Sequence, residues 1–276
     1  MNNIIIMAAG ASSRMKKTLN EVDLSTEVKE LAKQEHKTLI PLKGTNKSLL
    51  FYLCANAKKA GYKNIYILTA PENIAFINWI KTYKSNSNFS GVNFFLPIQK
   101  VPKGRLKPVG TADGIQQALD QFPNLLNERF TVCNADNLYS VNVLERLLKH
   151  DNSPHSIMSY DRSFLKFPEE RITKFALIKL DDQDYLEEIV EKPPIETHES
   201  FRNSNGQLLV SMNIFSFTGS KIYPYLKNCI MDLERNEKEL PQAVRSLIKN
   251  ENKTVFTYIA KEHLKDLTSA HDIKKF

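Results

Sequence analysis

In the first half of the chain, short runs of apolar, β-branched residues alternate with longer stretches in which apolar residues recur at helical spacing. Asn3–Ala8, Asn64–Thr69, Val92–Leu96 and Phe130–Asn134 show the first pattern and predict buried strands. Between them, Leu49, Leu50, Leu53 and Ala57 fall on one helical face, which predicts a helix over Ser48–Ala60 stopped by Gly61. Further helices are predicted over Gly114–Phe122, halted by Pro123, and over Val141–Lys149. This alternation is the one βαβ units around a mostly parallel sheet require, because helices then cover both faces of every strand.

The period changes in the second half. Thr173–Leu180 and Leu186–Glu191 alternate like antiparallel strands, and Leu208–Phe217 reads as a further strand. Leu240, Val244, Leu247 and Ile248 predict a helix over Glu239–Lys249, followed by a strand over Lys253–Ile259, while the polar stretch Pro193–Asn205 is expected to loop out. No repeat, low-complexity tract or long linker divides the chain. The expectation is one α/β domain over residues 1–276, with a mixed, mostly parallel central sheet and a small β-rich substrate-binding extension.

Composition narrows the function. With 276 residues, 42% of them hydrophobic, the chain can bury one large core. Its formal charge of +7 suits anionic ligands in general. The excess is scattered in short pairs such as Lys16-Lys17, Lys58-Lys59 and Lys274-Lys275, with no aromatic residues interleaved along a basic stripe, so no nucleic-acid partner is expected. Cys54, Cys133 and Cys229 are far apart and odd in number, which argues against a disulfide framework or zinc knot and for a reducing, cytoplasmic compartment. The run Ile4–Ala9 is short, has no basic segment before it and breaks at Gly10, so it reads as a strand rather than a leader. No apolar stretch nears the roughly 20 residues that span a bilayer, and no membrane partner is expected. His36, His150, His155, His198, His263 and His271 lack ligand spacing, and neither H-E-x-x-H nor G-x-S-x-G occurs, which excludes the common zinc and serine hydrolases.

The stretch Met7-Ala8-Ala9-Gly10-Ala11-Ser12-Ser13-Arg14 ends the first strand. Its small residues let backbone N–H groups approach phosphates, and Arg14 adds a permanently charged donor fork. It is neither the dinucleotide fingerprint nor the P-loop, because G-x-G-x-x-G and G-K-[ST] are both absent. Asp136 follows the strand Phe130–Asn134 at its carboxyl end, the edge where open α/β sheets bind ligands, and suits Mg²⁺; a helix cap is the plainer alternative.

These elements resemble the nucleotidyltransferases that act on sugar phosphates. Met7–Met15 is similar to the family's opening L-A-A-G-x-[GS]-[TS]-R-M, and His36–Gly44 to P-K-x-L-x-P-x-x-G with His36 in place of Pro. Lys17–Glu35 lengthens the connection between them, and its Val22, Leu24, Val28 and Leu31 suggest an amphipathic helix acting as a lid or a subunit contact. Gly110–Ile115 resembles G-T-A-x-A-[IL], in which Thr111 would cap a helix; Glu191-Lys192-Pro193 matches E-K-P; Ser211–Phe215 resembles a strand that carries Asn213; and Asp266–Ile273 resembles D-x-G-T-x-x-D-[LI], with Thr268-Ser269 replacing Gly-Thr.

The resemblance implies a Rossmann-like, GT-A-like fold and transfer of a nucleoside monophosphate from a triphosphate to a sugar 1-phosphate, with pyrophosphate leaving. It implies Arg14, Lys37 and Lys192 as catalytic cations, Asp136 and Asp266 as Mg²⁺ ligands, and Ala8, Ala9, Gly10, Gln99, Gly110 and Thr111 as nucleotide contacts. Glu191, Lys192 and Asn213 would hold the sugar phosphate. Residues 1–150 would form the nucleotide-binding half, and 151–276 the half that binds sugar phosphate and completes the metal site. Gln99 favours UTP or dTTP, since an amide offers donor and acceptor together. CMP or GMP transfer to a non-sugar phosphorylated acceptor, and a non-catalytic nucleotide-binding regulator, remain as alternatives. The sequence leaves a homo-oligomer open.

Overall fold

The computed structural model describes residues 2–42, 44–105, 107–149, 153–233 and 235–276; Lys43 of the second motif and His150 lie outside the described residues. The strands are β1 (Asn3–Met7), β2 (Asn64–Leu68), β3 (Asn93–Phe95), β4 (Arg129–Asn134), β5 (Asn137–Leu138), β6 (His155–Asp161), β7 (Ala176–Leu180), β8 (Leu186–Val190), β9 (Leu209–Thr218), β10 (Val255–Ala260) and β11 (Lys265–Asp266). The helices are α1 (Ser13–Thr18), α2 (Thr26–Gln34), α3 (Leu49–Ala60), α4 (Ile74–Tyr83), α5 (Thr111–Gln121), α6 (Val141–Leu148), α7 (Glu169–Ile172), α8 (Gly219–Lys227), α9 (Leu240–Asn250) and α10 (Ala270–Ile273).

The main sheet runs β3-β2-β1-β4-β9-β6-β10, and β7 joins β9 and carries β8. The contacts β1·β2, β1·β4, β2·β3 and β6·β10 are parallel, whereas β9 is antiparallel to β4, β6 and β7. This is the mixed, mostly parallel α/β sheet expected. Ile4, Ile5 and Ile6 are all fully buried, because successive side chains point to opposite faces and both faces are covered. Ile4 and Ile6 pack with Leu50, Leu53 and Ala57 of α3 and Val143 and Leu147 of α6. Ile5 packs on the other side with Ile115 and Leu119 of α5, Ile222 of α8 and Val244 of α9.

Local signals explain several boundaries. Ser48 caps α3 by accepting from the Phe51 N–H, and Gly61 ends it at φ 104°, a left-handed backbone that glycine adopts without cost. The helix expected over Gly114–Phe122 starts three residues earlier, at Thr111. Thr111 does not cap it: Gly110 is the N-cap, and the Thr111 hydroxyl accepts the N–H of Leu240 at 2.8 Å.

The Lys17–Glu35 segment is packed rather than hinged. Val22 and Ala32 are buried with Met15, Leu19, Ile40 and Leu49, and with Leu267, Ala270 and Ile273 of the C-terminal turn and α10. The Ala270 N–H donates to Thr18 Oγ1 at 2.9 Å. The segment thus braces the loop after β1 against the C-terminal turn and α10, which accounts for its amphipathic spacing. No helix among the described residues is long and apolar enough to cross a membrane.

Candidate active site

β1 and β4 are adjacent and in register, with Met7 opposite Asn134, so the loops that leave their carboxyl ends lie side by side. The first turns through Gly10 to Ser12, which sits at φ 54° as the N-cap of α1. Ser12 is buried, and its hydroxyl accepts the Lys37 N–H at 3.2 Å, tying the second motif to the first. Arg14 projects from the exposed first turn of α1, and it makes no ion pair among the described residues.

From the second loop, Asp136 meets Lys37 Nζ at 2.5 Å, with side chains 22% and 12% exposed. Asp266 arrives from the other end of the chain on β11, which pairs antiparallel with β5 and sets Asp266 opposite Asn137. The Leu267 N–H donates to the Asp136 carbonyl at 2.8 Å. Burial, and then the neighbouring Asp136, push the Asp266 carboxyl above its ordinary range. Two carboxylates crowded in this way favour a cation between them. Arg171 partly answers that demand, bridging Asp266 at 2.8 Å and Asp272 at 2.9 Å while stacking on Phe167. The Thr268-Ser269 departure builds an ordinary helix start: Ser269 and Asp272 form a capping box on α10, and Thr268 Oγ1 donates to Asp266 at 2.5 Å. Among the described residues no group of three or more His, Cys, Asp or Glu can hold a metal unaided. A metal at Asp136 and Asp266 would therefore share its shell with substrate oxygens, as Mg²⁺ does at phosphate sites.

Gly110 opens α5 at φ 126°, and a side chain there would run into the Lys238 carbonyl. That carbonyl accepts the Ala112 N–H at 2.9 Å, so a loop from the second half of the chain occupies the helix start. A cavity of about 430 Å³ lies between these pieces, lined by Ala9, Gly10, Arg14, Lys37, Gln99, Gly110, Thr111 and Asp136, with Glu237 and Thr268 from the second half. Ala8 is buried behind the loop, its N–H bonded to the Leu68 carbonyl, so of the expected nucleotide contacts it supports the wall rather than lining the cavity.

A second cavity, of about 540 Å³, holds Glu191, Lys192, Asn213, Asp266, Arg171 and Arg235. Arg14, Asn134, Asp136 and Thr268 line both cavities, so the two meet at Arg14 and Asp136. Lys192 at φ 45° and Asn213 at φ 54° are held in left-handed backbone, and the register of β9 against β6 shifts just where Asn213 turns inward. Burial, reinforced by Glu239, raises the Glu191 carboxyl above its usual range.

Sequence reasoning missed Arg171 and His198. His198 is 5% exposed; its Nε2 faces the Pro193 carbonyl at 3.2 Å and its Nδ1 faces the Arg162 guanidinium at 3.1 Å. It therefore backs the Lys192-Pro193 turn without lining the cavity itself. Neither residue has a local signature, because each acts on a partner that the fold brings from a distant segment.

A family described as "Nucleotidyl transferase" matches residues 24–272. The glucose-1-phosphate adenylyltransferase of Hydrogenovibrio crunogenus is 24% identical over 225 residues, covering 80% of this chain and 48% of that protein. The chain thus spans about half the length of this curated relative. A crystal structure of UDP-glucose pyrophosphorylase complexed with UDP-glucose superposes with a TM-score of 0.71 at 19% identity, covering 100% of this chain and 96% of that one. That likeness shows the fold.

Proposed function

The chain belongs to the nucleotidyl transferase family, and from that premise we propose that it transfers a nucleoside monophosphate from a triphosphate, UTP or dTTP by preference, to a sugar 1-phosphate and releases pyrophosphate. The observation that carries this reading is the junction of the two cavities at Arg14 and Asp136. One cavity offers the small-residue loop and the α5 start to a nucleotide, and the other offers Lys192 and Asn213 to a phosphorylated acceptor. The α-phosphorus of the triphosphate would sit at the junction, where an acceptor phosphate oxygen can approach in line with the departing pyrophosphate.

In this reading Lys37 and Arg14 offset charge on the triphosphate, Lys192 that on the acceptor phosphate, and Asn213 hydrogen-bonds sugar hydroxyls. Mg²⁺ held by Asp136 and Asp266 would neutralise phosphate charge at the junction. Residues 1–150 supply most of the nucleotide cavity, and 151–276 supply most of the acceptor cavity and the second carboxylate. The named relatives, a glucose-1-phosphate adenylyltransferase and a UDP-glucose pyrophosphorylase, support a sugar 1-phosphate as acceptor. Phosphorus NMR of the protein with Mg²⁺, UTP and glucose 1-phosphate tests it. Coupled diphosphate resonances of a nucleotide sugar are expected to grow together with free pyrophosphate, and hydrolysis of UTP alone would refute the transfer.

A further inference from the structure

Gln99 stands on the wall of the nucleotide cavity and is only 4% exposed. Its amide carries two N–H donors and one carbonyl acceptor. Both donors are spent within the protein: Nε2 donates to the Gly110 carbonyl at 2.8 Å and to Asp113 Oδ2 at 3.0 Å. Since both partners only accept, a turned-over amide would set its carbonyl against a carbonyl and a carboxylate. Asp113 is pinned in turn. The same Oδ2 accepts Gln117 Nε2 at 2.9 Å, and the Gln117 amide is anchored to the Lys100 N–H at 2.8 Å and the Lys100 carbonyl at 3.2 Å. The Gln99 carbonyl oxygen accepts no hydrogen bond from the described residues, which leaves it as the amide's unspent atom. Gly114 makes the room: a Cβ there would lie 2.9 Å from that oxygen and 2.9 Å from Leu68 Cδ2.

Resting on the reading of this cavity as the nucleotide site, we propose that Asp113 is a specificity-determining residue that locks the Gln99 amide with its carbonyl toward the base. The site then admits a pyrimidine whose ring nitrogen carries a proton and refuses one whose ring nitrogen is bare. Uracil and thymine present N3–H, which the carbonyl accepts. Cytosine in the same place presents a lone pair, so two acceptors face each other in a site with little water to relieve them. A glutamine free to turn can serve either edge, and the Asp113–Gln117 bracket removes that choice.

Titration calorimetry of UTP and CTP with Mg²⁺, run beside pyrophosphate release, tests this on the wild-type protein, Asp113→Ala and Gly114→Ala. The wild type is expected to bind UTP at least about tenfold more tightly than CTP. Asp113→Ala, which removes the acceptor that Gln99 and Gln117 share, is expected to bring that ratio to about threefold or less, chiefly by tightening CTP. Gly114→Ala disturbs the same carbonyl from the helix side and is expected to narrow the ratio with the fold intact, which covers the case of a poorly folding Asp113 variant. A wild type that does not prefer UTP, or a ratio unchanged in the folded variants, overturns the lock. Turnover with an unchanged ratio sinks the lock alone, whereas a UTP preference that collapses in the variants without any turnover sinks the proposed reaction and leaves the lock standing.

Discussion

His36, which replaces the family's proline, shows how one side chain can tune the phosphate loop. Its ring hydrogen-bonds the Gly10 backbone, its Nδ1 faces the Thr38 N–H and hydroxyl, and burial followed by Lys37 pushes its pKa down to about 4. The unfolded chain takes up this proton near pH 6.5 and the folded chain only near pH 4, so the stability held above pH 6.5 is lost as pH falls toward about 4. The loss amounts to about 3 kcal/mol. The backbone at His36, φ −67°, already suits proline. His36→Pro is therefore expected to fold and to flatten the stability profile between pH 6.5 and 4, read from denaturant midpoints; an equal slope in both proteins would contradict this account. At the junction of the cavities, Arg14→Ala and Asp136→Ala are each expected to cost about 100-fold or more in kcat with the circular dichroism spectrum unchanged. Substantial activity in either purified variant would remove that residue from the site.

Among the elements, the Gly110 turn is where backbone and site are most tightly joined. Gly110→Ala would need both a left-handed-side φ and the space filled by the Lys238 carbonyl, so it is expected to destabilise the protein by at least about 2 kcal/mol and to weaken nucleotide binding. Thermal melts and nucleotide titration read the two effects separately. The turn Ile195–Phe201 carries His198 against the Pro193 carbonyl. His198→Leu is expected to raise the KM for the acceptor about tenfold while leaving that for the triphosphate unchanged, and His198→Gln, which keeps a donor, to recover most of the loss. β1 and β4 were legible in the sequence because strands covered on both faces run mostly apolar through their centres, as at Ile4–Ile6 and at Phe130, Val132 and Cys133. The start of α5 was not, because its Ala112 N–H is satisfied by Lys238 and its Thr111 hydroxyl by Leu240, contacts of long sequence separation. Asn213 was identified by motif, but its inward turn depends on β9 pairing with β4, β6 and β7 at once, which no local period encodes.

Taken whole, the molecule builds its site from segments far apart in sequence. The loop after β1, the Lys37 turn, the loop after β4 and the C-terminal β11–α10 meet around Asp136, braced by the small core that α2 helps to form. The α/β architecture followed from the alternation of apolar periods, whereas the bridge from Arg171 to Asp266 and Asp272 joins segments that only the finished fold makes neighbours. The claim that rests on this assembly is that both cavities must be filled for reaction. The most direct measurement is pyrophosphate release from the purified protein with Mg²⁺, testing UTP, dTTP, CTP, GTP and ATP singly and with a panel of sugar 1-phosphates and phosphorylated alcohols. Release that needs both a uridine or thymidine triphosphate and a sugar 1-phosphate, and that vanishes in Asp136→Ala, is the expected result. Release without an acceptor, or none with any pair although nucleotide binds, would contradict it.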